Sequence, residues 1–178
     1  MQKTLIHSCC GPCSVSCFEV LKDQGFDFAS YFYNPNIHPW KEYEARFDSW
    51  HKLCDAVKVE AIGKPDYPLE KWLSAVGGKP EDRCLFCYES RLRQTAIKAK
   101  ELGFSAFTTT LLISPYQNHE LICQIALKAA ESFGLNFLYF DFRPFFRQGQ
   151  NKAKELGLYR QKYCGCIYSE KERYLKND

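Results

Sequence analysis

Short apolar runs rich in β-branched and aromatic residues alternate along this chain with longer amphipathic stretches, and a glycine closes most of those stretches. The runs Lys3–Ser8, Phe26–Tyr33, Val57–Ile62, Ala106–Thr110 and Phe137–Asp141 read as strands. Helical spacing marks Cys13–Gln24, Pro39–Val57, Tyr67–Val76, Leu85–Leu102, Asn118–Phe133 and Arg147–Leu156, with a short helix near Ser169–Leu175. Gly25, Gly103, Gly134 and Gly157 each follow such a stretch, where a C-terminal cap needs a left-handed backbone. Leu92, Thr95, Ala96, Ala99 and Leu102 keep the i, i+3, i+4 spacing of one buried helix face. Strand–helix alternation of this kind predicts a parallel α/β sheet with helices on both faces. A length of 178 residues suits one domain spanning 1–178. Gly77–Pro80 reads as a mobile loop leading into Cys84, and no repeat or low-complexity tract appears.

Composition narrows the class. Hydrophobic residues make up 46% and charged residues 25%, which is ordinary for a globular chain and argues against disorder. No run approaches the roughly 18–20 apolar residues of a membrane helix, and the N-terminal apolar stretch is too short for a signal peptide. A cytoplasmic protein with no membrane partner is expected. Charge is uneven: residues 143–178 hold nine Lys and Arg against four acids, so this segment carries +5 within a net +3. A basic surface there suits phosphates, and 16% aromatics suit the stacking of unpaired bases. A solvated helical face and an aromatic core account for both features equally well.

Ten cysteines are far more than such a chain needs. A disulfide framework belongs to small exported chains, whereas in a reducing compartment clustered thiols are metal ligands or redox groups. Cys17, Cys54 and Cys123 sit among apolar helical neighbours and read as small buried hydrophobes. The other seven form three tight groups: Cys9, Cys10 and Cys13 in CCGPC, Cys84 and Cys87 in CLFC, and Cys164 and Cys166 in CGC. The first group ends the first strand and opens a helix, on the sheet edge where open α/β folds bind ligands. Pro12 fits that helix's first turn, whose free N–H groups favour thiolates. Cys84 and Cys87 share one helix face, and Cys164–Gly165–Cys166 makes a tight turn. Three chemistries stay open: an iron–sulfur centre, a zinc site, or thiol–disulfide exchange without metal. Seven thiols exceed what one zinc takes.

Other signals are weaker. His7 precedes the CC pair, His38 lies in an aromatic loop, and His119 starts a helix. The segment FTTTLLISPYQNHE reads as helix capping or as a loop lining a substrate. Neither a P-loop nor a GxGxxG motif is present, so nucleotide sites of those kinds are unsupported.

HSCCGPCS after the first strand, RCLFCYESRL at 83–92, TTTLLISPYQN at 108–118 and YCGC at 163–166 together resemble the QueH family of cobalamin-independent epoxyqueuosine reductases. The resemblance runs in order over nearly the whole chain. It implies a Rossmann-like fold related to adenine-nucleotide α-hydrolase-like proteins, a [4Fe–4S] cluster, and reduction of epoxyqueuosine to queuosine at the tRNA wobble position. It also implies an electron donor, which it does not name. Carried over by residue, Cys9, Cys10, Cys84 and Cys87 are the implied cluster ligands and Cys164/Cys166 a redox-active pair. A second partition has Cys84, Cys87, Cys164 and Cys166 on the cluster and Cys9, Cys10 and Cys13 on one additional iron. Removing an epoxide oxygen takes two electrons and two protons; His7, Tyr116 and Asp141 are candidate proton donors by strand-end position. The rival readings are a zinc-stabilised RNA-binding module and a metal-free thiol–disulfide oxidoreductase.

Overall fold

A computed structural model describes residues 3–175. Strands β1 (Lys3–His7), β2 (Asp27–Tyr31), β3 (Ala61–Ile62), β4 (Ala106–Thr109) and β5 (Asn136–Phe137) form one parallel sheet in the order β3-β2-β1-β4-β5. Helices α1 (Gly11–Asp23), α2 (Trp40–Val57), α3 (Leu69–Val76), α4 (Arg83–Glu101), α5 (His119–Phe133), α6 (Phe146–Glu155) and α7 (Ile167–Tyr174) connect and cover it. On one face α1 packs against α2 and α6; on the other α4 packs against α5 and lies over β1 and β4. The α/β class is as expected.

The central strands are apolar without alternation because both faces are covered. Leu5, Ile6, Ala106 and Phe107 are wholly buried, and Leu21, Trp50, Leu92 and Ile122 reach them from the helices. β1 is in register with β2 from Lys3↔Asp27 to His7↔Tyr31, and with β4 from Thr4↔Ala106 to His7↔Thr109. The chain winds outward from β1 to β3 and then returns to β4 beside β1. The topological switch, where doubly wound folds open a crevice, therefore lies at the carboxyl ends of β1 and β4.

Several boundaries differ from the sequence expectation. The strand expected at 57–62 shrinks to Ala61–Ile62 because α2 runs on to Val57 and ends on Lys58 in the left-handed region (φ 56°). The strand expected at 137–141 shrinks to Asn136–Phe137 because its partner β4 turns into a 3-10 helix at Thr110–Ile113. Leu102 is exposed because α4 ends at Glu101, while Leu92, Thr95, Ala96 and Ala99 are buried as expected. The Gly77–Pro80 stretch is a short turn running into a 3-10 turn at Pro80–Asp82 that leads directly into α4. Gly25, Gly103, Gly134 and Gly157 all have positive φ. In the basic C-terminal segment, Lys176 and Asp178 lie outside the described residues.

Candidate functional site

Helix α1 begins where Pro12 suits a first turn, and the Cys10 sulfur caps it by accepting the Cys13 N–H at 3.4 Å. This gathers Cys9, Cys10 and Cys13 at one helix N-terminus, their sulfurs all within 4.8 Å of one another. The switch crevice is bridged here: the Cys9 N–H donates to Thr110 Oγ1 at 3.0 Å, and that hydroxyl donates to the Cys9 sulfur at 3.3 Å. The Gln161 amide donates to the Cys10 sulfur at 3.0 Å and reaches Cys13 at 3.6 Å. Hydrogen bonds from Cys10, Cys13 and Thr110 hold Cys9 well below the ordinary thiol range. Burial pushes Cys10 up, and hydrogen bonding to Cys10 and Cys9, then burial, pushes Cys13 up.

The second group meets from two distant segments. Cys84 and Cys87 lie in the first turns of α4, and Trp72 Nε1–H donates to the Cys87 sulfur at 3.4 Å. The Cys164–Gly165–Cys166 turn is held by Arg46, which donates to the carbonyls of Cys164 (2.7 Å) and Tyr163 (2.9 Å) while paired with Glu42 at 2.7 Å. The His38 N–H donates to the Gly165 carbonyl at 2.8 Å. Gly165 has φ 152°, and a Cβ there would stand 3.1 Å from Asn36 and 3.2 Å from Ile37, so the turn needs glycine. Cys87 and Cys166 share a small buried cluster with Trp72 and Val76. Burial raises Cys84, and pushes Cys87 up to about 11.

Both groups open on one cavity of about 550 Å³, lined by Cys9, Cys13, Cys84, Cys164 and Cys166 among others. Of the three candidate proton donors, Tyr116 alone lines it, 87% exposed and edge-on to Phe146 at 6.0 Å. His7 is sealed beneath the first group. Its Nε2–H donates to the Tyr33 carbonyl at 3.1 Å, so Nδ1 accepts from the Thr109 hydroxyl at 3.0 Å. Burial, and then the Arg91 charge, lower its pKa to about 4. Asp141 lies outside the cavity lining, where hydrogen bonds from Arg143 hold its pKa at about 2. His38 is buried against Trp72 at 4.5 Å, and His119 faces the Tyr139 hydroxyl at 3.1 Å. Cys17 and Cys54 are core residues whose thiols burial pushes up. Burial also raises Cys123.

The family model described as "Epoxyqueuosine reductase QueH" matches residues 4–172. The chain belongs to the QueH family. An Epoxyqueuosine reductase QueH of Dehalococcoides mccartyi is 39% identical over 98% of this chain and 96% of its own. One of Thermotoga maritima is 36% identical over 99% and 95%, and one of Acinetobacter baylyi is 35% identical over 94% and 80%. This QueH chain is therefore an oxidoreductase. A solved structure titled as the zinc-inhibited form of the teicoplanin deacetylase Orf2 is 11% identical, with a TM-score of 0.44 over 86% of this chain and 83% of its own.

The donor set suits a metal. Thiolates this close repel one another and become full ligands when a cation balances them, and Cys9, Cys10 and Cys13 have the spacing for it. Sequence reasoning did not single out Gln161, Arg46, Gln117 or Arg91 in this QueH site. Gln161 and Arg46 come from segments with no motif signal of their own. Gln117, whose amide reaches the Cys164 sulfur at 3.4 Å, sits inside TTTLLISPYQN. Arg91 had a readable cue: residues 84, 87 and 91 fall at i, i+3 and i+7 on one helix face. Among the described residues no helix is long and apolar enough to cross a membrane.

Proposed function

We propose that this chain reduces epoxyqueuosine to queuosine at the wobble position of tRNA, as the last step of queuosine synthesis in the cytoplasm. The overall change converts an epoxide, two electrons and two protons into an alkene and water, with the electrons supplied by an external donor. One observation carries the reading: the group of Cys9, Cys10 and Cys13, spaced to share a metal, faces one cavity together with a second cysteine group at the switch point of a QueH-family fold.

On this reading Cys84, Cys87, Cys164 and Cys166 hold a [4Fe–4S] cluster, and Cys9, Cys10 and Cys13 hold one additional iron. Two features support this partition over one that joins Cys9 and Cys10 to Cys84 and Cys87. Cys13 stands with Cys9 and Cys10, and Cys87 stands with Cys166. When bound, such a cluster supplies electrons one at a time.

The chain's own residues do the rest. Gln161 and Thr110 donate to the first sulfur group and orient it. Arg46 and Gly165 fix the turn that presents Cys164 and Cys166. Tyr116 and Phe146 stand at the cavity as surfaces for stacking a base. Lys162 and Arg173, exposed in the same lining, suit its phosphates. Neutral His7 holds its proton against Tyr33 and has none to give to the cavity.

Anaerobic purification with iron, sulfide and zinc analysis tests the metal, and turnover of an anticodon stem-loop bearing epoxyqueuosine tests the reaction. Brown protein with iron clearly above four per chain and formation of queuosine are expected. Colourless protein with one zinc and no turnover would replace this reading with the RNA-binding one.

A further inference from the structure

Arg91 is the buried cation that the site leaves without a carboxylate. It lies on α4 one turn after Cys87, is 3% exposed, and lines the cavity. Its Nε donates to the Cys87 carbonyl at 3.0 Å, and its guanidinium lies 5.9 Å from the centre of the Tyr88 ring. Those contacts fix one edge of the fork. Among the described residues its two terminal nitrogens have no hydrogen bond to any side chain, sulfur included, and no carboxylate within ion-pair distance. The other arginines of the same lining differ. Arg46 is paired with Glu42 and Arg83 with Glu172; Lys162 and Arg173 are exposed to water. The terminal N–H groups therefore face the cavity free to bind a ligand, and a largely buried cation favours one that completes its hydrogen bonds.

The position limits what that ligand is. The cavity that Arg91 lines is also lined by Cys9 and Cys13 of the first group and by Cys84, Cys164 and Cys166 of the second. A phosphodiester brings two bulky riboses with it, and exposed Lys162 and Arg173 are placed for that contact. Arg91, buried in the same lining, lies deeper than the exposed Lys162 and Arg173, a place that suits an atom of the modified base rather than the RNA backbone.

Resting on the reductase reading above, we propose that Arg91 is a catalytic residue whose two free N–H groups bind the epoxide oxygen and stabilise the negative charge that develops there as its C–O bonds break. The balance is that of the overall reaction: two electrons from the external donor break the two C–O bonds, the alkene forms, and the oxygen takes two protons from solvent and leaves as water. Arg91 stays charged throughout and donates hydrogen bonds without giving up a proton. A fork of donors already aimed at the oxygen needs no rearrangement as charge builds, which is where such donors act most strongly.

The test compares the iron-loaded wild type with Arg91→Lys and Arg91→Gln, each checked for iron content, melting temperature and cluster reduction potential. Arg91→Lys keeps the charge and removes the fork. Its reduction potential and iron content are expected to match wild type, while kcat/KM for the modified stem-loop falls roughly 100-fold. Anaerobic calorimetry without reductant supplies a readout apart from turnover. Wild type is expected to bind the epoxyqueuosine nucleoside roughly tenfold more tightly than the queuosine nucleoside, and both variants to lose that preference. Wild-type turnover by Arg91→Lys, or a preference kept in either variant, would reduce Arg91 to a counter-charge for the sulfurs. An equal loss of affinity for the unmodified stem-loop would make it a phosphate contact, against the proposal. A wild type that turns over no epoxyqueuosine would overturn the reductase reading, while the nucleoside preference would still report on Arg91.

Discussion

Cys166 caps α7 by accepting the Ser169 N–H at 3.4 Å, shares a buried cluster with Cys87, and lines the cavity. On the proposed partition its loss removes a cluster ligand. Cys166→Ala is expected to purify with most of the visible absorption and iron gone, and retention of wild-type iron would return it to the role of a redox thiol. His38 gives a second test at this scale. Burial lowers its pKa from 6.5 to about 4, so the unfolded chain takes up a proton at a pH where the folded one does not. Stability therefore falls as pH drops below about 6.5 and stops falling near 4, a loss of about 3 kcal/mol for this one group at about 1.4 per unit. Urea unfolding of His38→Asn across that window should show a slope shallower by about one proton; an unchanged slope would mean that His38 is not buried in neutral form. Neither property is readable from NPNIHPW. The aromatic character of the loop is written in the sequence, but its burial comes from Trp72, thirty-four positions away.

Close approach between elements rests on small residues. A Cβ on Gly11 would meet the Ser49 backbone at 2.8–2.9 Å, because α1 crosses α2 there. Backbone cannot step aside, so Gly11→Ala is expected to cost about 2 kcal/mol or more in urea unfolding. A Cβ on Gly149 meets mainly the Ser16 hydroxyl at 2.9 Å, which can rotate away, and Gly149→Ala should cost under about 1 kcal/mol. Equal costs would contradict this difference in packing. Helices were the legible elements: the apolar spacing and closing glycines of α1, α4 and α5 were visible because these features are local. The edge strands were legible in place but not in length. β3 and β5 each pair for two residues, since the length of an edge strand is set by its neighbour rather than by its own run of apolar residues.

The whole molecule sets sulfur groups, stacking aromatics and exposed cations around one opening. If Lys162 and Arg173 meet RNA phosphates, affinity for an anticodon stem-loop falls linearly on a log–log plot against salt. Removing both by Lys162→Ala and Arg173→Ala should flatten that slope by about 1.5, and an unchanged slope would place the RNA elsewhere. At this scale the α/β class, the strand–helix order and the seven chemical cysteines could be read directly, because periodicity and clustering are properties of neighbouring residues. The meeting of Cys87 with Cys166, the Gln161 amide on Cys10, the withdrawal of His7 and Asp141 from the cavity, and the unpartnered fork of Arg91 could not. Each depends on which distant segments the returning crossover to β4 and the C-terminal turn bring together, and such contacts are set by packing across the sheet rather than by any local run of residues.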